Sequence, residues 1–260
     1  MQRPTHIAIT RDVSSSLGRC ELSFLSRTEI NVTLAAEQHR AYRQALQSLG
    51  CRVLELPAQD ALPDAVFVED MAVVLDEVAV LTRPGAESRR AEGASVAEAL
   101  ARHRPLRMMD APATLDGGDV LRVGRRLYIG QSARSNAAGA AQLRERISEF
   151  GYEVQPVPIR GCLHLKSAVT QVAEDTLLVQ PAWVDPAAFA GFRLIEVDPN
   201  EEHAANALWV GGGVLYPASF PRTQRRIEAA GISVTSVDVS ELQKAEGAVT
   251  CCSLVLREAP

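Results

Sequence analysis

Four short stretches of the sequence carry residue types that can do chemistry. The first ends in two adjacent carboxylates, Glu69 and Asp70, which follow the apolar run PDAVFV. Two carboxylates can accept the paired N–H donors of a planar guanidinium in charge-assisted hydrogen bonds. A solvated turn would account for the same residues, so the local sequence leaves both interpretations open.

The second and third stretches supply an acid and an imidazole. In TLDGGD, Asp116 and Asp119 flank two glycines, which suit a tight turn but also let a ligand approach closely. In GCLHLKS, His164 lies between two leucines, a pattern more typical of a packed core histidine. It also begins a predicted strand, where active-site residues are often placed, and an acid such as Asp116 could orient its ring.

The fourth stretch, GAVTCCSLVL, is predicted to be a strand over residues 247–256. Because alternate residues of a strand point to opposite faces, we expect Cys252 in the core with Leu254, and Cys251 on the other face. Cys251 could then meet solvent or substrate, although an inert buried thiol is the usual state of a single cysteine. With His164 and an acid it could form a set of nucleophile, base and orienting group, which spacing alone does not select.

The composition is that of an ordinary globular protein, with 260 residues, 47% hydrophobic and 23% charged, and a formal net charge of -5. Its 27 basic and 32 acidic residues include no run of lysine and arginine, which argues against nucleic-acid binding. No apolar stretch approaches the length of a membrane span, about 18 residues, and the N-terminal sequence does not have a signal-peptide pattern. We therefore expect a cytoplasmic protein without nucleic-acid or membrane partners, either a monomer or a homodimer.

Cysteine and histidine usage favours neither a disulfide framework nor a zinc site. The cysteines are odd in number, two of them are adjacent, and no histidine lies at metal-ligand spacing from another ligand. We expect no metal and no organic cofactor. The five cysteines are Cys20, Cys51, Cys162, Cys251 and Cys252.

The elements that must position these residues follow a repeated pattern. Four helices end in a glycine followed by a short apolar strand, at Gly50, Gly151, Gly191 and Gly231, and each glycine suits a left-handed residue that closes a helix. Paired apolar runs typical of β-hairpins precede the helices, as in GDVLRVGRRLYIG. The hairpin MAVVLDEVAVLTR, the polar helix SRRAEGASVAEALARH and the strand LRMMD form a further unit, so that units recur about every 40–55 residues.

One hairpin is missing from the five units, and the two ends of the chain can supply it. The first helix follows only the strand HIAITR, and the last segment, AVTCCSLVLRE, is a strand with no helix after it. Pairing these strands closes a ring of ββαβ units with protected edges and a central depression for a small ligand. We therefore predict an α/β fold, a five-bladed α/β propeller with pseudo-five-fold symmetry, as a single domain over residues 1–260.

At these stretches the sequence resembles the dimethylarginine dimethylaminohydrolases, a family of the guanidine-modifying (pentein) superfamily whose fold is a five-bladed α/β propeller. The resemblance covers nearly the whole chain in the family's order. Its motifs are LGRC, EQHRAY, LPDAVFVED, TRPGAESRR, ATLDGGDV, YIGQSARSNAAG, LHLKSAVT, AAN and EGAVTCCS.

The resemblance implies roles for individual residues. Cys251 would be the nucleophile and His164 its acid/base partner, oriented by Asp116, where some relatives carry Glu. Glu69 and Asp70 would surround the guanidinium. The other implied substrate contacts are the lid residue Leu17, the wall residue Phe67, Asp64 at the amino-acid end, Arg89 and Arg134 at the carboxylate, and Ala245 and Glu246 near the α-amino group. Relatives often have a bulkier apolar residue and Asp at the last two positions, and segment 21–33 matches poorly.

The implied reaction is hydrolysis of Nω,Nω-dimethyl-L-arginine, and of its monomethyl counterpart, to L-citrulline and the methylated amine through a covalent cysteine thiouronium. One alternative is hydrolysis of another guanidine, such as arginine or hydroxyarginine. Arginine deiminases typically carry an inserted helical region for which 260 residues leave no room. A second alternative is a non-catalytic ring-shaped binding module, like the ribosome anti-association factors of similar five-fold architecture, which would not need the cysteine, histidine and paired acids together.

Overall fold

The computed structural model describes residues 6–258, and within this range fifteen short strands form five three-stranded sheets. In chain order the strands are β1 His6–Arg11, β2 Cys51–Leu56, β3 Ala72–Val74, β4 Ala79–Leu81, β5 Leu106–Met108, β6 Val120–Val123, β7 Arg126–Gln131, β8 Glu153–Pro158, β9 Val169–Ala173, β10 Thr176–Val179, β11 Arg193–Glu196, β12 Leu208–Val210, β13 Gly213–Pro217, β14 Val234–Val237 and β15 Leu254–Arg257. This confirms the five predicted repeats.

Each sheet has the same internal order. The central strand pairs antiparallel with one neighbour and parallel with the strand that follows a helical connection, as in β3–β4–β5 and β6–β7–β8. In the sheet β15–β1–β2 the antiparallel neighbour comes from the other end of the chain, and Ile9 lies opposite Leu254. The predicted closure by pairing of the terminal strands is therefore confirmed, and the fold is a five-bladed α/β propeller.

Helical segments connect the strands, and their lengths are unequal. The α-helices are α1 Val32–Ser48, α2 Gly93–Leu100, α3 Ala137–Arg146, α4 Leu165–Ala168, α5 Pro221–Ala229 and α6 Ser240–Gln243. The 3₁₀ segments are Leu17–Arg19, Val68–Met71, Glu87–Glu92, Gly117–Asp119, Ser148–Phe150 and Pro186–Phe189. None of the helices described within residues 6–258 could span a membrane.

Two helix predictions were too long. The helix predicted over residues 88–103 is divided into a 3₁₀ turn that ends at Glu92 and a helix that begins at Gly93. Arg89 and Glu92 in that turn are buried and hydrogen-bonded to each other, so their contacts, not helical propensity, set its geometry. The segment PAAFAGF forms only the 3₁₀ turn Pro186–Phe189, which begins with a proline after the capping side chain of Asp185.

The strand predicted over residues 247–256 was also wrong in its first part, because β15 begins only at Leu254. Residues 249–252 form a turn, in which the backbone N–H of Thr250 donates to the side chain of Asn206 and that of Ser253 donates to the Thr250 carbonyl. These bonds replace a strand ladder. Cys252 is nevertheless fully buried and Cys251 partly buried, as the sequence predicted.

The axis of the ring is lined by the first strand of each hairpin. A cavity of about 230 Å³ there is bordered by residues of β3, β6, β9, β12 and β15. A larger cavity, of about 1510 Å³, has a lining from all five sheets that includes the turns after β3, β6 and β12. The central depression predicted from the repeats is therefore present.

The pairing of the terminal strands should carry a measurable share of the stability. Ile9 is fully buried and Leu254 is 5% exposed. Replacing either by alanine should lower the free energy of unfolding by about 2–5 kcal/mol, because a cavity is left in packed apolar surroundings. Urea denaturation measures this, and Met108→Ala is the control, since Met108 is 63% exposed. Losses at Ile9 no larger than at Met108 would contradict closure through these strands.

Candidate active site

Residues singled out by the sequence, among them Asp70, His164 and Cys251, lie at equivalent places in different blades. Each of the axial strands β3, β6, β9, β12 and β15 is preceded by a turn that carries a polar side chain or the thiol. In blade order these are Asp70, Asp119, His164, Asn206 and Cys251. Because the axial strands all meet the same central cavity, residues far apart in the chain are brought together at one end of the axis.

The imidazole of His164 is held by buried acids. Its Nε2 lies 3.0 Å from Oδ2 of Asp116, and its Nδ1 lies 4.0 Å from Oδ1 of Asp70. The side chain of aspartate therefore reaches the ring at this position, where some relatives carry glutamate. A Cβ on Gly118 would lie 2.6 Å from Nδ1, so the ring packs directly on the glycine backbone, which explains one glycine of the pair.

Asp119, the second acid of the glycine turn, supports both partners of this pair. Its Oδ1 accepts the backbone N–H of Leu165 at 2.9 Å, next to His164. Its Oδ2 accepts the hydroxyl of Ser135 at 2.6 Å, and that hydroxyl oxygen accepts the N–H of Asp116. Asp119 thus fixes the backbone on each side of the imidazole–carboxylate contact.

Asp70 is held in place by Arg89, which is itself buried. Nη1 of Arg89 donates to Oδ2 of Asp70 at 2.6 Å, and Nε and Nη2 donate to Glu92. Nη2 also donates to the carbonyl oxygens of Asp64 and Phe67. Arg89 was predicted to hold a substrate carboxylate. Most of its N–H donors instead form hydrogen bonds within the protein.

Each oxygen of the Glu69 carboxylate also accepts one hydrogen bond from the protein. Its Oε1 accepts from Nζ of Lys166 at 2.6 Å, and its Oε2 accepts from the Thr250 hydroxyl at 2.8 Å. Its backbone N–H donates to the carbonyl oxygen of Cys251 at 3.2 Å. Asn206 completes this network, because its side-chain N–H groups donate to the backbone carbonyl of Lys166 and to the hydroxyl of Thr250. The negative charge of Glu69 lies beside the thiol, while its oxygens are directed at Lys166 and Thr250.

The charges shift the ionisation of the two groups that could react. Burial raises the pKa of the Cys251 thiol, and the negative charges of Glu69 and Asp70 raise it further. Burial by itself would lower the pKa of His164, but the charge of Asp70 and the hydrogen bond to Asp116 outweigh it and raise that pKa to about 9. Near neutral pH the site therefore holds a thiol and an imidazolium, not a thiolate and a neutral imidazole.

The remaining predicted substrate contacts lie around the segment that follows Leu17. Leu17, Phe67 and Ala245 are buried in one apolar cluster, against which Cys251 packs. The other three side chains contact the segment that begins at Glu21: Asp64 accepts the N–H of Glu21, Arg134 donates to the hydroxyl of Ser23, and Glu246 accepts N–H groups of residues 23–25. The structure thus brings the twelve predicted residues to these contacts, to this cluster or to this segment, and their roles in binding and catalysis stay predictions.

Sequence reasoning missed the residues that act as partners of the predicted ones. Lys166 and Asn206 stand within motifs that carried the family resemblance, LHLK and AAN, and Thr250 precedes Cys251, the predicted nucleophile. Asp119 was noticed beside the glycine pair but was given no role. The signal that could have found Lys166 is charge balance, because a buried carboxylate such as Glu69 needs a cation.

Among residues 6–258, one group of side chains could hold a metal ion. Single ligand atoms of Asp70, Asp116 and His164 lie within 4.8 Å of one another. These atoms already have partners, since Asp116 is bonded to the imidazole and Asp70 to Arg89 and to the N–H of Gly118. These three side chains therefore form an imidazolium, that of His164, held between the carboxylates of Asp70 and Asp116.

A five-bladed α/β propeller that brings a thiol, an imidazole and buried carboxylates to one end of its axis belongs to the class of guanidine-modifying pentein proteins. Comparison with known proteins gives the family. Residues 3–188 match the family model described as N,N dimethylarginine dimethylhydrolase, eukaryotic. The N(G),N(G)-dimethylarginine dimethylaminohydrolase of Streptomyces coelicolor is 42% identical over 257 residues, which cover 98% of each chain.

Two solved structures agree with this match. A cysteine-to-serine mutant of the Pseudomonas aeruginosa enzyme, complexed with citrulline, superposes with a TM-score of 0.93 at 36% identity and covers 98% of this chain and 100% of its own. A histidine-to-glycine variant of a dimethylarginine dimethylaminohydrolase, as its adduct with S-methyl-L-thiocitrulline, gives a TM-score of 0.92 at 37% identity, with coverage of 96% and 98%. The chain belongs to the dimethylarginine dimethylaminohydrolase family.

The arrangement of acids makes a testable prediction for the imidazole. In wild-type protein His164 should titrate near pH 9, and Asp70→Asn should lower its pKa, because the lost negative charge no longer favours the imidazolium. NMR titration of the imidazole measures both values. Asp76→Asn is the control, since Asp76 pairs with Arg122 away from the imidazole. An Asp70→Asn variant with an unaltered His164 pKa would refute this account.

Proposed function

We propose that this protein hydrolyses Nω,Nω-dimethyl-L-arginine, and Nω-monomethyl-L-arginine, to L-citrulline and dimethylamine or methylamine. The observation that carries the proposal is a partly buried thiol, Cys251, beside the carboxylates of Glu69 and Asp70 and an imidazole held by Asp116. We assign this activity to a single domain, residues 1–260, acting in the cytoplasm. The activity of the similar enzymes and the citrulline bound to one of them support this proposal.

The negative charge of the buried carboxylates would attract the guanidinium before any hydrogen bond to it forms. Both carboxylates at the thiol are buried and already hydrogen-bonded, and each oxygen keeps a further lone pair for a substrate N–H. The planar cation would lie between the thiol and these acids with Phe67 as its apolar wall. Asp64, Arg134 and the carbonyl group of Ala245 would bind the amino-acid end.

The first half of the reaction forms a covalent intermediate. The cationic substrate favours loss of the Cys251 proton to solvent, and the thiolate attacks the central guanidinium carbon to give a neutral tetrahedral adduct. His164, as imidazolium, protonates the nitrogen of the departing dimethylamine, and the C–N bond breaks. An S-alkyl thiouronium remains on Cys251, and the imidazole is left neutral.

The second half uses the same imidazole as a base. Neutral His164 takes a proton from a water molecule, whose oxygen attacks the thiouronium carbon. The C–S bond then breaks, the hydroxyl proton of the adduct passes to the sulfur of Cys251, and the carbon–oxygen bond becomes the carbonyl of citrulline. This leaves the thiol and the imidazolium with which the reaction began. Asp116 would keep the ring oriented through both proton transfers, and Asp119 would keep the backbone around it fixed.

The decisive experiment is citrulline formation by the purified protein. Cys251→Ser should abolish the activity, and His164→Ala should reduce kcat by about 10²–10⁴, the usual contribution of a positioned acid or base. Turnover of arginine should be much lower than turnover of asymmetric dimethylarginine. Preference for arginine would instead identify a deiminase of arginine, and citrulline formation equal to wild type in both variants would exclude this site.

The ionisation of the thiol gives a separate prediction. Because burial and the charges of Glu69 and Asp70 raise its pKa in the free protein, the Cys251 thiolate should form mainly when a cation is bound. The rate of alkylation against pH, with and without a non-reactive arginine analogue, measures this shift. The apparent pKa should fall when the analogue is bound, and an unchanged value would refute the proposal that the substrate activates its own nucleophile.

A further inference from the structure

The carboxylate of Glu246 collects the backbone N–H groups of three consecutive residues in the segment after Leu17. Oε1 accepts from Ser23 at 3.0 Å, from Phe24 at 2.5 Å and from Leu25 at 2.6 Å, and Oε2 accepts from Ser23 at 3.0 Å. Hydrogen bonds to an ionised acceptor are about twice as strong as neutral ones. This carboxylate is therefore directed at the segment.

The backbone at Glu246 has a conformation that is unusual for a residue with a side chain. Among the described non-glycine residues, Glu246 is the one with a positive φ, at 57°. Glycine adopts this left-handed conformation more readily, and residues that keep a strained backbone are concentrated at functional positions. The glycine that follows, Gly247, packs against the ring of Phe67, so the loop that carries Glu246 also borders the substrate wall.

The segment has one apolar anchor, Leu22, which is half-buried and packs against the cluster that contains Leu17 and Phe67. The next two apolar side chains are more exposed, Phe24 at 53% and Leu25 at 38%. Polar contacts also hold the segment, through Asp64 to the N–H of Glu21 and through Arg134 to the hydroxyl of Ser23. Glu246 provides the largest number of these contacts, and it binds main chain, so the interaction does not depend on which side chains the segment carries.

We propose that Glu246 is a positioning residue that fastens segment 21–25 over the active site, and that it acts on substrate binding through this segment and not by contact with the substrate's α-amino group. The latch itself is a property of the free protein. Only its kinetic consequence rests on the proposed hydrolysis of methylated arginines.

The kinetic consequence follows from a change in populations. If tight binding requires the closed segment, the apparent affinity falls in proportion as the fraction of molecules with a closed segment falls. Loss of the latch should raise KM for dimethylarginine about tenfold by this argument and leave kcat within about twofold, because Cys251 and His164 are untouched.

Hydrogen exchange in the free protein tests the latch directly. Glu246→Gly removes the carboxylate and suits the positive φ, whereas Glu246→Gln keeps the length of the side chain without its charge. In Glu246→Gly the amides of residues 23–25 should exchange about tenfold faster than in wild type, with Glu246→Gln in between. Glu228 is an exposed glutamate on α5 whose side chain hydrogen-bonds only to Gln224 among the described residues, so Glu228→Gln should change nothing at the segment.

Unchanged exchange at residues 23–25 in both variants would overturn the latch. If Glu246→Gly does not fold, Glu246→Gln decides the question alone, because it keeps all the side-chain carbons. Exchange in β15 serves as the internal reference for global stability.

A pair of substrates separates the latch from direct contact. KM is compared for dimethylarginine and for its analogue that lacks only the α-amino group, in wild type and in Glu246→Gln. A latch predicts the same KM penalty for both compounds, whereas contact with the α-amino group predicts a penalty that vanishes with the analogue, and that result would overturn the proposal. If wild type hydrolyses neither compound, the proposed function has failed, while the exchange result still decides the latch.

Discussion

The site depends on the burial of more negative than positive charge in one small volume. Six carboxylates there are each less than a tenth exposed: Asp64, Glu69, Asp70, Glu92, Asp116 and Asp119. Three cationic groups compensate them: Arg89, Lys166 and His164 as imidazolium. Since unpaired buried charges are very costly, each cation is placed against two acids or against one acid in good geometry. This pairing dictates the turns before the axial strands and therefore the local backbone of the site.

The uncompensated charge has a chemical consequence. Together with burial it keeps the thiol protonated, and it keeps the imidazole charged, a state in which Cys251 is a poor nucleophile. Burial outweighs the favourable charge of Arg89 and raises the pKa of Glu92 to about 7, with a smaller contribution from Asp64 and Asp70. In the proposed reaction a guanidinium would supply the missing positive charge at the place where it lowers the pKa of the thiol. The same acids would then select a cation and couple its binding to formation of the Cys251 thiolate.

Much of the fold could be predicted because its signals are local. A helix that ends in glycine before an apolar strand can be recognised in a window of some twenty residues, and Gly50, Gly151, Gly191 and Gly231 all have the predicted positive φ. The number of units then required that the chain ends pair. Helix lengths failed at Glu87–Glu92, where buried contacts made by Arg89 and Glu92 decided the local geometry.

The site residues were predicted from residue types and sequence motifs. Their contacts in the folded chain could not be predicted from either. Nothing near Glu69 in the sequence indicates that Lys166, 97 positions away, takes one of its oxygens. The side chain of Glu246 likewise meets backbone N–H groups more than 220 positions earlier in the chain. Backbone donors have no signature in the sequence, because every residue except proline carries one.

The turn that carries Cys251 shows why ring closure and catalysis are physically linked. It lies immediately before β15, the strand that closes the propeller against β1. The turn is held by three other parts of the ring: Tyr42 of α1 donates to the carbonyl oxygen of Val249, Asn206 accepts the N–H of Thr250, and the N–H of Glu69 donates to the carbonyl oxygen of Cys251. A chain with the four other blades folded but with β15 unpaired would have neither the closed sheet β15–β1–β2 nor the thiol in its place. The environment that sets the ionisation of Cys251 therefore forms only when the ring is complete, since its acids belong to one end of the chain and its thiol to the other.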